Sequence, residues 1–493
     1  YIFDKIGTYN VVAKLNGYID SDEITITVTE KPKLTLAASS TSLFKGESAT
    51  FTVTSGGQSV FADIFVDGTK IAGTSYLFNN TGTFKVQAKR DGYVDSDEIT
   101  ITVTEKPKLT LAASATTLFR GESATFTVTS GGQSITADIY VNGSKITGST
   151  YTFNNVGTFK VQAKRDGYVD SDEITITVRE IEYQTDVYVA GYEVLGASQV
   201  AKYWKNGTAV PLTSGTTNAY ANSIFVYNDD VYVAGVEELN NDITVAKYWK
   251  NGAAVTLSNT SNNAEATSIY VYNGDVYVAG FEIEGLTAVA KYWKNGTPVR
   301  LGSSSASSYA FSIYVDNGVV YVAGREEENG VEVAKYWRNG TSNKLTNGNN
   351  DATAYSIYVN NNTVYVAGRE YNGTVDVAKY WRNGTSYTLS SSSNQATAYS
   401  ILYSNGSVYV AGIESDVAKY WKDGTSYTLS DGTGANSVYI HEGDIYVAGY
   451  EYRNNDVYVA KYWKNGQGVS LTDGSNFAYG YSVFVHKIVK NNY

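Results

Sequence analysis

The feature that most constrains this chain is a phrase of seven residues, A-K-Y-W-[KR]-[ND]-G, which occurs seven times and contains every tryptophan. Successive tryptophans are 45, 44, 44, 44, 40 and 42 residues apart. A regular period of this length indicates a repeat architecture, in which equivalent positions pack the repeats together. We therefore predict that the tryptophans belong to the core and do not contact ligand. They are Trp204, Trp249, Trp293, Trp337, Trp381, Trp421 and Trp463.

Each of these repeats contains four predicted β-strands, as in SIYVYNGDVYVAGFEIEGLTAVAKYWKNGTPVRL at 268–301. The strand segments alternate apolar and polar residues and are rich in Val and Tyr. Asn273-Gly274 and Asn295-Gly296 supply tight turns, because both residue types tolerate positive φ. Four strands in 40–45 residues are typical of a β-propeller blade.

The innermost strands number seven when the last strand of the chain is included. That strand, Ser482–His486, has no partner strands after it, and the first repeat opens on a second strand, Asp186–Glu193. We predict that these two segments pair and close a seven-bladed propeller. The innermost strands are expected to begin at Ser223, Ser268, Ser312, Ser356, Ser400, Ser437 and Ser482.

The first 180 residues repeat with a different period, 75 residues. KPKLTLAASSTSLFKGESATFTVTSGG begins at Lys31 and a near-copy begins at Lys106. Alternating segments, with turns at Asp67-Gly68 and Asn142-Gly143, predict about seven short strands in each unit and an antiparallel sandwich. These units resemble the bacterial immunoglobulin-like domains that occur in tandem on surface proteins.

The two periods predict the order of domains in an all-β chain. Residues 1–30 match 76–105 and 151–180, so we expect the first unit to lack about 45 residues at its start. The combination resembles bacterial lipoproteins and adhesins that join immunoglobulin-like units to propellers, which implies an extracellular or cell-surface location. The predicted parts are a partial immunoglobulin-like domain at 1–30, immunoglobulin-like domains at 31–105 and 106–180, a linker at 181–185, and the propeller at 186–493.

Composition excludes several classes of function. The chain has no cysteine, so disulfides, cysteine metal sites and thiol redox chemistry are excluded. Its net charge of −11 disfavours a phosphate-binding surface, and nucleic acid is not expected as a partner. No apolar run approaches the length of a membrane helix, so no membrane span is predicted. We predict no cofactor and no metal.

Loop lengths predict which face of the propeller binds a partner. The chain enters at Asp186 and leaves at His486, both on the face where two-residue turns are expected. The immunoglobulin-like units are therefore predicted to attach there. The opposite face, with segments 303–311 and 325–333, is expected to carry longer loops, where binding usually occurs.

Two positions before each innermost strand differ between repeats, whereas the strands do not. Directly before each strand lie Asn222, Thr267, Phe311, Tyr355, Tyr399, Asn436 and Tyr481. Two residues earlier lie Tyr220, Glu265, Tyr309, Thr353, Thr397, Gly434 and Tyr479. Such side chains are suited to stacking on a sugar or binding a peptide. The alternative is that the tyrosines only fill the mouth of the channel. The candidate ligand-binding residues are Tyr220, Glu265, Tyr309, Phe311, Tyr355, Tyr399, Tyr479 and Tyr481.

Other polar patterns are interpreted as structural. Every V-A-G-x-E segment carries a Glu that is expected to pair with the Lys two residues before the Trp of its own blade. The acidic run Glu326-Glu327-Glu328 is expected to be a solvated loop tip. His441 and His486 lie on neighbouring blades without an evident third ligand. The segment DGYVDSDEIT, at 91–100 and 166–175, is interpreted as a turn, with calcium binding between units as an alternative.

These patterns favour a non-enzymatic binding or adhesion protein at the cell surface or secreted. An immunoglobulin-like stalk would present a propeller that binds an extracellular glycan or a surface protein through its long-loop face. One alternative is a structural subunit of a surface filament, which self-associates through the stalk because a partial sandwich leaves strand edges unpaired. Another alternative is a propeller hydrolase or lyase, which requires an acid or base cluster at the channel mouth.

Overall fold

A computed structural model describes residues 1–239, 243–453 and 456–490. Across these residues the regular structure consists of β-strands, and no helix occurs. The chain divides into two compact units, Tyr1–Ile181 and Glu182–Tyr493. Because no helix is present in the described ranges, none with the length and apolarity to cross a membrane is found there either.

The first unit contains one pair of strands followed by two copies of a two-sheet sandwich. The pair, β1 and β2, is antiparallel. Nine strands follow in each copy, two more than predicted, because hairpins with two-residue strands add to the count. The strands are β1 (Gly7–Val11), β2 (Ile24–Val28), β3 (Thr35–Ala38), β4 (Ser42–Phe44), β5 (Glu47–Ser55), β6 (Gln58–Ser59), β7 (Asp63–Val66), β8 (Thr69–Lys70), β9 (Ser75–Phe78), β10 (Gly82–Lys89), β11 (Ile99–Thr104), β12 (Thr110–Ala113), β13 (Thr117–Phe119), β14 (Ser123–Ser130), β15 (Gln133–Ser134), β16 (Asp138–Val141), β17 (Ser144–Lys145), β18 (Thr150–Thr152), β19 (Gly157–Lys164) and β20 (Ile174–Arg179).

Alternating residues of these strands build the core of each sandwich. In the first copy, strand orders β3-β5-β6 and β4-β11-β10-β7-β8 form the two sheets, and β9 pairs with β5. Phe51 from one sheet and Ile101 from the other belong to the same buried cluster. The predicted hairpin turns are confirmed, because Asp67 and Asn142 have φ of 44° and 47° and connect β7 to β8 and β16 to β17.

The acidic segment DGYVDSDEIT is held by lysines within each sandwich. Lys33 contacts Asp97 at 2.8 Å, Lys89 contacts Asp95 at 3.0 Å and Lys85 contacts Glu98 at 2.8 Å. Equivalent pairs occur in the second copy. Since separate lysines neutralise these carboxylates, the segment forms ion pairs rather than one cluster of carboxylates. Among the described residues, no group of three His, Cys, Asp or Glu is arranged to hold a metal ion.

The second unit consists of seven four-stranded antiparallel sheets. Sheet 1 has the order β48-β21-β22-β23, and sheets 2 to 7 take the next strands four at a time, beginning with β24. The strands are β21 (Tyr183–Leu195), β22 (Ser198–Lys205), β23 (Thr208–Pro211), β24 (Ala219–Tyr227), β25 (Asp230–Glu238), β26 (Thr244–Lys250), β27 (Ala253–Thr256), β28 (Ala264–Tyr272), β29 (Asp275–Glu284), β30 (Thr287–Lys294), β31 (Thr297–Arg300), β32 (Ser308–Asp316), β33 (Val319–Glu328), β34 (Val331–Arg338), β35 (Thr341–Lys344), β36 (Ala352–Asn360), β37 (Thr363–Tyr371), β38 (Asp376–Arg382), β39 (Thr385–Thr388), β40 (Ala396–Ser404), β41 (Ser407–Glu414), β42 (Val417–Lys422), β43 (Thr425–Thr428), β44 (Gly434–His441), β45 (Asp444–Arg453), β46 (Val457–Lys464), β47 (Gln467–Ser470) and β48 (Ala478–Val489).

The predicted pairing of the last strand with the first repeat is confirmed. Strand β48 lies antiparallel to β21, with Ser482 opposite Ala190 and His486 opposite Asp186. The pairing extends further than predicted, to Tyr183 opposite Val489. Most of the predicted linker 181–185 is therefore strand, because Tyr183–Thr185 find hydrogen-bonding partners in the C-terminal residues.

Serine hydroxyls link each sheet to the next. The Ser312 hydroxyl of sheet 4 accepts a hydrogen bond at 3.2 Å from the backbone N–H of Ile357 in sheet 5. The same bond recurs between every consecutive pair of sheets at 3.1–3.3 Å, and Ser482 of sheet 1 accepts from Ile224 of sheet 2. Seven equivalent bonds thus run from sheet 1 through sheet 7 and back to sheet 1.

The tryptophans pack between neighbouring sheets, as predicted. All seven are at most 1% exposed. Trp293 of sheet 3, for example, belongs to a buried cluster with Tyr232, Ala234 and Ala246 of sheet 2. A large flat side chain fills the space that widens between two twisted sheets, so one tryptophan per repeat meets a packing requirement of the repeat.

The predicted Glu–Lys pairs are also confirmed in all seven sheets. We call these acids the framework glutamates, and their carboxylates contact the lysines at 2.5–2.7 Å. Because the pairs are largely buried and lie diagonally across two strands, they stabilise the register of those strands. The framework glutamates are Glu193, Glu237, Glu282, Glu326, Glu370, Glu414 and Glu451.

Two predictions about loops are wrong. Glu326–Glu328 form the end of β33 rather than a solvated tip, since Lys335 binds both Glu326 and Glu328. Short turns also occur between second and third strands, as at Asn329-Gly330 between β33 and β34. Segment 325–333 is therefore mostly strand, because the hairpin extends as far as its residues can pair across the sheet.

Candidate functional site

The first strands of the seven sheets line a cavity of about 360 Å³. Each sheet contributes the residue directly before its serine, and Glu265 contributes a second side chain from sheet 3. This volume falls at the lower end of small-molecule sites. We call the seven residues the cavity ring: Asn222, Thr267, Phe311, Tyr355, Tyr399, Asn436 and Tyr481.

A β-bulge places each member of the cavity ring. In sheet 5, Ala354 pairs with Gly368 and Ser356 pairs with Ala367, so Tyr355 is the extra residue. The same irregularity occurs in all seven sheets. A bulge leaves one residue unpaired and redirects its side chain. The repeat therefore aims one variable side chain per sheet at the cavity.

A glycine opposite each bulge makes this geometry possible. A Cβ added to Gly368 would lie 1.9 Å from the carbonyl oxygen of Thr353. The glycines of the other V-A-G segments show the same approach, at 1.8–2.1 Å. No side chain fits at such a distance. The glycine that recurs in every V-A-G segment is the signal in the sequence that reports the bulge.

Aromatic rings form one continuous wall of the cavity. The rings of Phe311 and Tyr355 are 5.4 Å apart, and those of Tyr355 and Tyr399 are also 5.4 Å apart. Burial raises the pKa of the Tyr399 hydroxyl. Three neighbouring sheets thus present apolar faces to the same space.

A cluster of tyrosines borders the cavity at sheets 7, 1 and 2. Tyr192 stacks on Tyr479 at 5.2 Å and contacts Tyr220 and Tyr481 at 4.9 and 5.9 Å. Burial raises the pKa of Tyr192 to about 12, so its hydroxyl stays neutral in ordinary buffers. Of this cluster only Tyr481 lines the cavity, whereas Tyr220 and Tyr479 pack behind the ring.

Two arginines lie beside the aromatic wall on second strands. The Arg325 guanidinium lies 4.9 Å from the ring centre of Tyr309 and 5.9 Å from that of Phe311. It is paired with Glu332, and Arg369 is paired with Asp376 at 2.6 Å. Tyr309 therefore supports an arginine and is not among the residues that line the cavity.

The polar side chains of the cavity lie mainly at sheets 2 and 3. Asn222 Nδ2 donates hydrogen bonds to Glu265 Oε1 at 2.9 Å and to the Ala266 carbonyl at 3.0 Å. The Thr267 hydroxyl donates to the Ala310 carbonyl at 2.8 Å. Burial raises the pKa of the Glu265 carboxyl, and the hydrogen bond from Asn222 opposes this change. Glu265 is the only carboxylate among the residues that line the cavity.

A second ring of side chains lies two residues beyond the serines, and we call it the channel ring. Its neighbouring aromatic centres are 4.7–4.8 Å apart, and they border a smaller cavity of about 250 Å³. The alternative prediction of an aromatic plug describes this ring better than the cavity ring. Its members are Phe225, Tyr270, Tyr314, Tyr358, Leu402, Tyr439 and Phe484.

The two histidines do not form a common site. His486 Nε2 lies 3.0 Å from Asp229 Oδ1 in sheet 2. His441 Nε2 is buried and has no hydrogen-bonding partner among the described residues. Both lie on the strand end away from the bulges, where β21 begins and β48 ends.

Comparison with known proteins gives no family for this chain. No family model and no curated protein matches it. The fibronectin(III)-like modules of Clostridium thermocellum CbhA align at 16% identity over 29% of this chain and 93% of theirs, with a TM-score of 0.20. YjhT aligns at 11% over 51% and 97%, with a TM-score of 0.32. A puromycin-hydrolysing peptidase of Mycobacterium tuberculosis aligns at 11% over 58% and 54%, with a TM-score of 0.38. Similarities of this strength carry no conclusion about activity.

Proposed function

We propose that this chain is a non-enzymatic binding or adhesion protein that is secreted or displayed on the bacterial cell surface. In this proposal the second unit is a seven-bladed β-propeller, and the repeats of the first unit are an immunoglobulin-like stalk. The ligand is part of an extracellular glycan or of a surface protein, and it binds at the cavity ring.

One observation carries the proposal. The seven sheets share their tryptophans, glycines, serines and Glu–Lys pairs, yet the bulged position differs from sheet to sheet. A position that served packing alone would be expected to repeat with the rest of the framework. Variable side chains on a rigid, repeated scaffold are the arrangement used by binding sites.

The cavity does not favour a hydrolase. Glycosidases use two carboxyl groups that flank the bond to be cleaved, and the lining contains only Glu265. The framework glutamates are occupied by lysines. Binding without chemistry is the function that these residues support.

The test is a screen of the full chain against arrays of glycans and of surface proteins. Binding should fall about tenfold or more in Tyr355→Ala and in Tyr399→Ala, because aromatic contacts in a pocket supply much of the binding energy. Tyr427→Ala is the matched control, since Tyr427 lies 42% exposed on an outer strand. Equal losses in all three variants would contradict a site at the cavity ring.

A further inference from the structure

The side-chain amide donor of Asn222 is fully used within the protein, and that of Asn436 is used in part. Asn222 uses both amide protons on Glu265 and on the Ala266 carbonyl. Asn436 Nδ2 donates to the Gly480 carbonyl at 2.9 Å. Carboxylate and carbonyl oxygens only accept hydrogen bonds, so the orientation of both amides is determined. The Oδ1 atoms of both asparagines remain as acceptors for a ligand.

Glu265 lacks the cationic partner that every framework glutamate has. The hydrogen bond described for its side chain comes from the neutral amide of Asn222. Within the described ranges of the chain, none of the ion pairs includes Glu265. A half-buried carboxylate without a cation carries a desolvation penalty that a positively charged ligand relieves.

The aromatic wall favours the same kind of ligand. The faces of Phe and Tyr rings carry negative electrostatic potential and attract cations. Phe311 already contacts the guanidinium of Arg325 at 5.9 Å. Both arginines near the wall have their own carboxylates, Glu332 and Asp376, so the positive charges that flank the wall are compensated.

We propose that the cavity binds a primary ammonium group on an alkyl chain, namely a lysine side chain displayed by a partner protein. Glu265 and the Oδ1 atoms of Asn222 and Asn436 accept from the ammonium, and the aromatic wall contacts the methylene stem. A neutral sugar ring fits less well, because it brings no positive charge to compensate the Glu265 carboxylate. The net charge of −11 also attracts a basic partner. This inference rests on the proposed binding function and chooses between its two ligand classes.

The experiment is ligand-observed NMR titration of the full chain with Nα-acetyl-lysine methylamide. The neutral analogue Nα-acetyl-norleucine methylamide tests the charge, and glucosamine and N-acetylglucosamine test a sugar as the source. We expect the lysine analogue to bind at least about tenfold more tightly than the other three, since it alone combines charge-assisted hydrogen bonds from its ammonium with an alkyl stem that contacts the aromatic wall.

Glu265→Gln should weaken binding of the lysine analogue about tenfold, because it removes the charge and keeps an acceptor for Asn222. Glu238→Gln is the matched control, since Glu238 is also half-buried and accepts a 2.7 Å hydrogen bond from an asparagine, Asn218. The control should bind as the parent does. Tryptophan fluorescence checks that both variants fold.

Several results would overturn the inference. These are equal binding of the lysine and norleucine analogues, preference for either sugar, or unchanged affinity in Glu265→Gln. Absence of any binding by the lysine analogue would overturn it as well. The proposed function would survive each of these results if an array ligand still required Tyr355 and Tyr399, so the two failures are distinguishable.

Discussion

Glu265 differs from the framework glutamates in what lies beside it. Each framework glutamate contacts a lysine of its own sheet. Burial raises the pKa of Glu414 and Glu451, but the lysine and the other donors beside each carboxylate together outweigh burial and lower the pKa. Glu265 contacts an amide, and burial raises its pKa. Two carboxylates of one repeat family therefore respond oppositely to the fold because their partners differ in charge.

This difference predicts a pH-dependent stability. Because the folded pKa of Glu265 is raised, the folded state holds a proton that the unfolded chain releases near 4.5. Stability therefore falls as pH rises from below 4.5 through the folded pKa. Glu265→Gln should unfold at a higher temperature than the parent at pH 8, and this advantage should shrink at pH 4. The measurement is thermal unfolding of both proteins at the two pH values. An advantage independent of pH would contradict the assignment.

Replacing a buried tryptophan should destabilise the protein far more than replacing an exposed tyrosine of the same sheet. Trp381 is 1% exposed, whereas Tyr387 is 41% exposed. We expect Trp381→Ala to lower the free energy of unfolding by about 3–5 kcal/mol, because it leaves a cavity between sheets. Tyr387→Ala should cost about 1 kcal/mol or less. Denaturant unfolding followed by circular dichroism tests this, and similar costs would contradict the packing role.

At the scale of the element, the bulge turns one residue of each inner strand toward the cavity. Tyr355 and its equivalents were identified from their variability, without knowledge of the bulge. The expected strand starts are late by three or four residues. For example, Ser356 is expected, but β36 begins at Ala352 and continues through the irregularity. One extra residue interrupts the alternation of apolar and polar side chains. The sequence pattern therefore indicates that a strand begins after the interruption, although the strand continues through it.

The glycine opposite the bulge gives a prediction at this scale. Gly368→Ala should destabilise the protein by about 3 kcal/mol or more, because its Cβ would meet a backbone oxygen at 1.9 Å and the strands must separate. Gly384→Ala in the turn of the same sheet should cost about 1 kcal/mol, since there only the positive φ of 83° is unfavourable. Equal costs in denaturant unfolding would show that the bulge tolerates a side chain.

At the scale of the molecule, the stability of sheet 1 depends on the C-terminal strand. Strand β48 is paired along the length of β21, and its Val483 N–H also donates a hydrogen bond to the Ser437 hydroxyl of sheet 7. Its removal exposes β21 and breaks the series of serine bonds at two places. The same unit contains all seven tryptophans, so their fluorescence reports on this unit alone.

Deletion of residues 478–493 should therefore shift tryptophan emission to longer wavelength and broaden the unfolding transition of the second unit. The physical reason is that a sheet with a missing inner strand leaves its neighbours' buried faces open to water. The first unit should retain its transition in differential scanning calorimetry, because its two sandwiches have their own cores. Native emission and an unchanged transition of the truncated chain would contradict this dependence.

The sequence by itself determined the periods, the strands and the core. Tryptophans every 40–45 residues, Asn-Gly turns and alternating Val and Tyr specify local geometry, and the pairing of β48 with β21 followed from counting strands. Only the tertiary structure decided which variable residues share a cavity. Nothing in their residue type or repeat position indicates that three of the candidate tyrosines pack behind the cavity ring. These are Tyr220, Tyr309 and Tyr479. The physical reason is that a local pattern reports only the neighbours along one strand. The direction of a bulged side chain and the partner of Glu265 depend on contacts between different sheets, whose residues lie about 44 positions apart in the sequence.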